Sequence, residues 1–131
     1  MKQEDKELLL RDLCARLPYV TMCATADNDV SLLNIWKIVK ADMINEDFFL
    51  IHDSHEAYRT VDVKEVKPYL FPLSSMTEEQ KKEWRSLMIH DSYGILYPTI
   101  KSFDYLYKNH IDIRGLIPMG LAIDCTNLNI Y

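Results

Sequence analysis

The stretch that decides the fold lies at residues 30–40 and reads VSLLNIWKIVK. Its apolar side chains alternate, so that Val30 and Trp36 point one way while Leu33 and Val39 point the other. A strand that is apolar on both faces is usually central in its sheet and covered on both sides. The sequence therefore predicts a buried strand here, with other strands arranged around it.

Three neighbouring segments also have the composition of strands. They lie at residues 19–25, 48–52 and 60–63. The residues DND at 27–29 are typical of a turn before the central strand, and Asn45 falls in a second turn. Sequential strands joined by short links favour an antiparallel meander of three to four strands.

Helical spacing predicts a first helix over residues 4–17. Leu13 and Cys14 fall on its apolar stripe, and Pro18 ends it. This position predicts that Cys14 is a core residue and not a nucleophile, because buried structural thiols are inert.

A second helix is predicted at about 77–89. Pro68 and Pro72 precede it and forbid a regular helix, which indicates a rigid connector. Thr77 and Gln80 then fit a capping box, in which each side chain satisfies a backbone N–H of the other residue.

A short third helix is predicted at about 102–109, with Ser102 as its cap. Tyr105 lies off the apolar edge that Phe103, Leu106 and Tyr107 define. Residues 111–131 are expected to be irregular or short-stranded.

These elements predict one α+β domain spanning residues 1–131. In it, the antiparallel meander packs against the N-terminal helix and the helix at about 77–89, and the short helix closes one end.

Charge and composition exclude several classes of protein. Fifteen Lys and Arg face twenty Asp and Glu, for a net charge of −5, which disfavours nucleic-acid binding. No apolar run is long enough to cross a membrane, and the first ten residues do not resemble a secretion signal. Three cysteines with no CxxC pair argue against a disulfide framework and favour the cytoplasm.

The negative charge is concentrated between residues 41 and 58. This stretch has no Lys or Arg, and two interpretations stay open: solvated loops, or a surface that attracts a cation or a basic partner. Its acidic residues are Asp42, Glu46, Asp47, Asp53 and Glu56.

One polar cluster has the residue types of a metal site. His52, Asp53 and His55 follow a predicted strand, and His90 begins a second His-Asp-Ser tripeptide. Histidine and carboxylate are ligands for zinc and other divalent ions, although this spacing is not diagnostic. The alternative is two polar loops.

A second cluster is aromatic. Tyr93, Tyr97 and Tyr105 lie near Arg114 in the sequence. Exposed Tyr and Arg are enriched where proteins bind one another. The alternative is that these rings complete a small core.

Three blocks resemble a family of uncharacterised proteins from gut Bacteroidales, their phages and their mobile elements. The resemblance covers nearly the whole chain and implies a cytoplasmic bacterial or phage origin, but it implies no activity. The blocks are EDKELLLRDLCARLPY at 4–19, VKPYLFPLSSMTEEQKKEW at 66–84 and FDYLYKNHIDIRGLIPMGLAID at 103–124.

We therefore expect a non-catalytic accessory protein that binds another protein, including a second copy of itself, and that needs no cofactor. The alternative is a metal-dependent enzyme using His52, Asp53, His55 and His90. Cys125, in a polar stretch, is the best candidate for a reactive thiol, although an inert thiol is the stronger expectation.

Overall fold

A computed structural model describes residues 1–25, 35–41, 48–52 and 58–131 of the chain. Part of the predicted central strand, at 30–34, lies outside these ranges. So do the predicted turns at 27–29 and Asn45 and the candidate ligand His55. The acidic residues Asp42, Glu46, Asp47, Asp53 and Glu56 also lie outside the described residues.

The described residues form three α-helices and eight β-strands. The helices are α1 (Gln3–Ala15), α2 (Glu78–Ser86) and α3 (Ile100–Lys108). The strands are β1 (Met22–Thr25), β2 (Trp36–Ala41), β3 (Phe48–His52), β4 (Tyr58–Asp62), β5 (Val66–Leu70), β6 (Ile89–His90), β7 (Leu96–Tyr97) and β8 (Ile123–Asp124).

In the described part of the chain, six strands form one sheet in the order β4-β3-β2-β1-β5-β8. Strands β1 to β4 pair antiparallel with their neighbours in sequence, which confirms the predicted meander. Strand β5 adds antiparallel to the other side of β1, and β8 adds parallel to β5. The sheet and its helices confirm the α+β class.

The segment around Pro68 is a strand inside the sheet, so the prediction of a connector is wrong there. Pro68 lies opposite Cys23 of β1. The backbone oxygen of Leu70 accepts the N–H of Cys125, so the backbone polar groups of Leu70 point towards β8. Pro68 lies two residues earlier in the strand, so its backbone nitrogen faces the same side. Pairing with β8 begins only at Tyr69, so the missing N–H of Pro68 removes no bond from the ladder.

Helix α1 packs in the core against one face of the sheet. Leu9 and Leu13 are fully buried there, in the same cluster as Phe49 and Ile51 of β3. The other buried members of this cluster are Cys23, Ile38, Val61, Val63, Val66, Leu70, Leu116, Leu121 and Ala122.

The buried stripe of α1 also contains an ion pair. Asp12 and Arg16 are both fully buried, and the Arg16 Nε donates to Asp12 Oδ2 at 2.7 Å. The Arg16 Nη2 donates to the backbone oxygen of Ile111 at 2.7 Å, which ties α1 to the segment after α3. Because Asp12 and Arg16 share the inward face with Leu13, Cys14 is exposed, and its predicted core position is wrong.

The C-terminal segment packs against a second cluster, on β1, β5 and β8. Cys125 is buried in this cluster with Ala24 and Tyr69. The Tyr131 hydroxyl donates to the backbone oxygen of Tyr69 at 2.9 Å and accepts the N–H of Met22 at 2.9 Å. A single phenol therefore bridges β1 and β5.

Both later helices begin with a capping box. In α2, the N–H of Gln80 donates to Thr77 Oγ1 at 3.1 Å, and the Gln80 side chain accepts the N–H of Thr77 at 2.9 Å, as predicted. Helix α2 ends at Ser86, before the predicted position. In α3 the cap is Thr99, and Ser102 is the third residue of the helix, so its prediction as the cap is wrong.

Candidate functional site

An exposed hairpin of β6 and β7 joins α2 to α3. Asp91 organises its turn, because its Oδ1 accepts the backbone N–H of Tyr93 at 2.9 Å and of Ile95 at 3.0 Å. Its Oδ2 accepts the hydroxyl of Tyr97 at 3.2 Å. These bonds, led by that from Ile95, lower the pKa of the Asp91 carboxyl. The second His-Asp-Ser tripeptide thus contributes a turn residue.

The base of this hairpin is fixed to both helices. Thr99 caps α3, and its hydroxyl also donates to the backbone oxygen of Leu87 at 2.6 Å. Leu87 is the C-cap residue that directly follows α2. One side chain therefore holds the two ends of the 88–98 connection in place.

Large apolar side chains cover the hairpin and the start of α3. Tyr93 is 88% exposed, Ile100 is 82% exposed and Ile89 is 65% exposed. Ile100 and Phe103 lie three residues apart and so share one face of α3. We give the name hairpin patch to the exposed apolar residues of the hairpin and of the start of α3, which are Ile89, Tyr93, Ile95, Leu96, Tyr97, Ile100 and Phe103.

Two of the four predicted interface residues, Tyr93 and Tyr97, belong to the hairpin patch. Tyr105 does not: it is half-buried, packs against the cluster that contains Leu106, and donates its hydroxyl to Glu83 of α2 at 3.3 Å. Burial, with the Glu83 charge adding to it, raises the pKa of the Tyr105 phenol. The prediction that Tyr105 lies off the inward edge is wrong because α2 packs on that side, whereas Phe103 is exposed.

Arg114, the fourth predicted residue, lies where α1 meets α3. Its Nε is 3.4 Å from Asp12 Oδ1, and its Nη2 donates to the Tyr107 hydroxyl at 3.2 Å. The ring of Tyr107 in turn lies 5.0 Å from the guanidinium carbon of Arg16. Arg114 therefore contributes to the internal polar network that anchors α1.

The candidate metal ligands are only partly described. His52 ends β3 and contacts the ring of Tyr58, with centroids 4.6 Å apart, and His90 lies in β6. Asp53 and His55 are outside the described residues. Within the described ranges, no group of three or more His, Cys, Asp and Glu side chains could hold a metal ion. The four-residue metal site stays a prediction.

The two buried thiols stay protonated, and therefore unreactive, at neutral pH. Burial raises the pKa of Cys23 to about 12 and that of Cys125 to about 11, far above neutral pH. Cys125 is fully buried beneath the C-terminal segment, so its predicted place in a polar stretch does not make it accessible.

A cleft lies between the C-terminal end of α3 and Tyr131. This cleft has a volume of about 310 Å³. One wall is aromatic, because His110 stacks on Tyr131 with ring centroids 3.6 Å apart and ring planes 9° from parallel. Its polar lining includes Gln80, Lys108 and Asn109.

His110 has an unusual backbone conformation, with φ of +59°. It is the second residue after α3, its N–H donates to the oxygen of Tyr107, and the N–H of Ile111 donates to the oxygen of Leu106. This is the Schellman arrangement, in which glycine is the usual residue at the left-handed position. A histidine here is strained, and such strain is concentrated at functional sites.

Sequence reasoning missed the aliphatic members of the hairpin patch and the whole cleft. The apolar run Ile95–Tyr97 beside Gly94 was a usable signal, since a short hairpin has no second layer to cover it. No local signal marks the cleft, because His110 and Tyr131 meet only in the folded chain.

No helix in the described part of the chain has both the length and the apolar character needed to cross a membrane. Comparison with known protein families, with curated proteins and with solved structures found no match to this chain. The resemblance to a Bacteroidales family stays a prediction.

Proposed function

We propose that this chain is a non-catalytic interaction protein of the cytoplasm and that its hairpin patch binds a second copy of the chain. The observation that carries the proposal is the concentration of exposed apolar side chains within residues 89–103. A concentration of large exposed apolar side chains in one short segment is a feature of sites where other proteins bind.

Rigidity supports the role of the hairpin patch as a docking surface. Asp91 holds the turn, and Thr99 ties the base of the hairpin to the end of α2. A surface that is ordered before binding loses less conformational entropy on association. Tyr93 and Tyr97 provide large contact areas with few rotatable bonds, as in many protein interfaces.

Charge favours a second copy as the occupant. The net charge of −5 equals the charge of the five acidic residues between 41 and 58, so two copies repel one another most where those stretches meet. Residues 89–103 contain one acid, Asp91, and one base, Lys101, and are therefore neutral as a set at neutral pH. Two copies can approach through this surface without net repulsion, and a two-fold interface needs such a self-complementary patch.

The test is sedimentation equilibrium over a dilution series of the purified chain. We expect a monomer–dimer equilibrium that the double substitution Tyr93→Ser and Ile100→Ser weakens at least about tenfold, as for residues at the centre of an interface. Both side chains are exposed, so the melting temperature should stay close to that of the wild type.

The matched control is Tyr58→Ser, because Tyr58 is also an exposed tyrosine but lies on β4. It should leave the equilibrium unchanged. Monomeric behaviour at every concentration, or equal weakening by the control, would overturn the proposal. Stoichiometric metal in the purified protein, lost on substitution of His52 and His90, would favour the metal-dependent enzyme instead.

A further inference from the structure

We infer that the cleft beside His110 binds a small anion that carries a planar ring, of the class of aromatic carboxylates. This site is separate from the hairpin patch and does not depend on the function proposed for that patch. Its volume of about 310 Å³ is at the lower end of the range for small-molecule sites, about 300–1,000 Å³, and suits a ligand of one or two rings.

The aromatic wall of the cleft is held in place before any ligand arrives. Tyr131 makes two hydrogen bonds through its hydroxyl, to Tyr69 and from Met22, so its ring cannot turn away without breaking both. His110 stacks on one face of that ring, and the Phe71 ring lies 6.1 Å from it at an angle of 45°. Such rings prefer planar partners, in stacked or edge-to-face contact.

The backbone of His110 points to a role for its side chain. At a left-handed position glycine has no steric penalty, whereas a residue with a Cβ is disfavoured by about 1–2 kcal/mol. The imidazole completes the aromatic wall, which a glycine at residue 110 could not do. The strained residue therefore coincides with the surface that a planar ligand would contact.

Charge in the cleft favours an anion. Lys108 contributes a cation to the lining, no acidic side chain lines the cleft, and no described carboxylate pairs with Lys108. Burial and the nearby Arg16 charge lower the pKa of His110 to about 4, so the imidazole is neutral at pH 7. Lys108 is then the group that can pair with a ligand carboxylate.

One amide of the lining can orient the ligand further. The Gln80 oxygen accepts the N–H of Thr77, which leaves its NH₂ group to donate to a ligand carboxylate. The Asn109 NH₂ group already donates to the oxygen of Tyr105. The cleft thus offers one cation and one amide donor beside the stacked rings.

The experiment titrates the full chain with benzoate and follows the backbone amide resonances by NMR. Acetate, which lacks the ring, and benzamide, which lacks the charge, are the comparison probes. We expect saturable benzoate shifts centred on residues 108–111 and 131, with at least tenfold weaker binding of both comparison probes.

Two substitutions separate binding from folding. Lys108→Met should weaken benzoate binding about tenfold, whereas Lys101→Met, an exposed lysine in the first turn of the same helix, should not. His110→Gly removes the ring and relieves the backbone, so it should abolish binding while the chain stays folded.

Three results would overturn the inference. The first is that benzoate shifts fall elsewhere or do not saturate. The second is that Lys101→Met weakens binding as much as Lys108→Met. The third is that His110→Gly binds benzoate as well as the wild type, in which case the His110–Tyr131 stack serves only to fasten the C-terminal segment.

Discussion

His110 stacks face to face on Tyr131, and the Tyr131 hydroxyl bridges Met22 of β1 and Tyr69 of β5. The end of α3 is thereby connected through one ring to the middle of the sheet. The same contact closes the C-terminal segment over the buried Cys125 and forms the aromatic wall of the cleft. The same pair of side chains therefore contributes both to the stability of the fold and to the inferred binding site.

Acid should weaken the fold through His110. Its pKa is lowered from about 6.5 to about 4 in the folded chain, so between these values the unfolded state binds the proton and the folded state does not. Stability should be unaffected by this group above pH 6.5 and should fall as the pH drops from 6.5 towards 4. Urea unfolding midpoints at pH 7 and pH 5 measure the effect.

The control for this pH dependence is a histidine that is exposed. His110→Gln should reduce the loss between pH 7 and pH 5, whereas His90→Gln should not. If both variants lose as much stability as the wild type, the carboxylates of the chain and not His110 cause the acid sensitivity.

Leu13→Ala should lower the free energy of unfolding by about 2–5 kcal/mol, the range for truncating a fully buried leucine. Leu13 has no exposed surface and packs between α1 and the sheet. Denaturant melts measure the change, with the exposed Leu128→Ala as the matched control, expected to remain within about 0.5 kcal/mol of the wild type. Equal effects of the two substitutions would contradict this packing.

Thr77→Ala should destabilise the chain by about 0.5–2 kcal/mol, because it removes the oxygen that accepts the N–H of Gln80. Thr77→Ser keeps that oxygen and should lose much less. Chemical denaturation of the three proteins distinguishes capping from packing: equal losses in both variants would indicate that the threonine methyl group, and not the hydroxyl, is responsible.

The three thiols should differ in their reactivity. Cys14 is exposed and should be modified by a water-soluble thiol reagent in the native protein, whereas Cys23 and Cys125 should react only when the chain unfolds. Mass spectrometry should find one modified cysteine under native conditions and three in denaturant. Native modification of Cys125 would show that the C-terminal segment opens readily.

Local patterns predicted the elements whose causes lie close together in the sequence. The capping box of Thr77 and Gln80 involves residues three apart, and the meander follows from apolar strands joined in order. Leu13 lies where helical spacing places it. In each case the signal that predicts the feature lies in residues close together in the sequence.

Tertiary structure decided the features that depend on distant contacts. Arg16 is buried where Asp12 and the backbone of Ile111 bind its guanidinium, so the inward face of α1 contains this ion pair and Cys14 faces solvent. Tyr105 is half-buried because α2 and α3 pack against each other. Pro68 is tolerated in β5 because the pairing of β5 with β8 begins only at Tyr69.

The two proposed sites also combine features that the sequence predicts with features that only the tertiary structure decides. The sequence supplied Tyr93 and Tyr97 for the hairpin patch, but only the folded chain shows that Ile100 beside them is left uncovered. No pattern in the sequence predicts the cleft, because His110 and Tyr131 become neighbours only when the end of α3 and the C-terminal segment pack together. Burial and stacking are properties of surfaces assembled from remote segments, and no local pattern of side chains contains them.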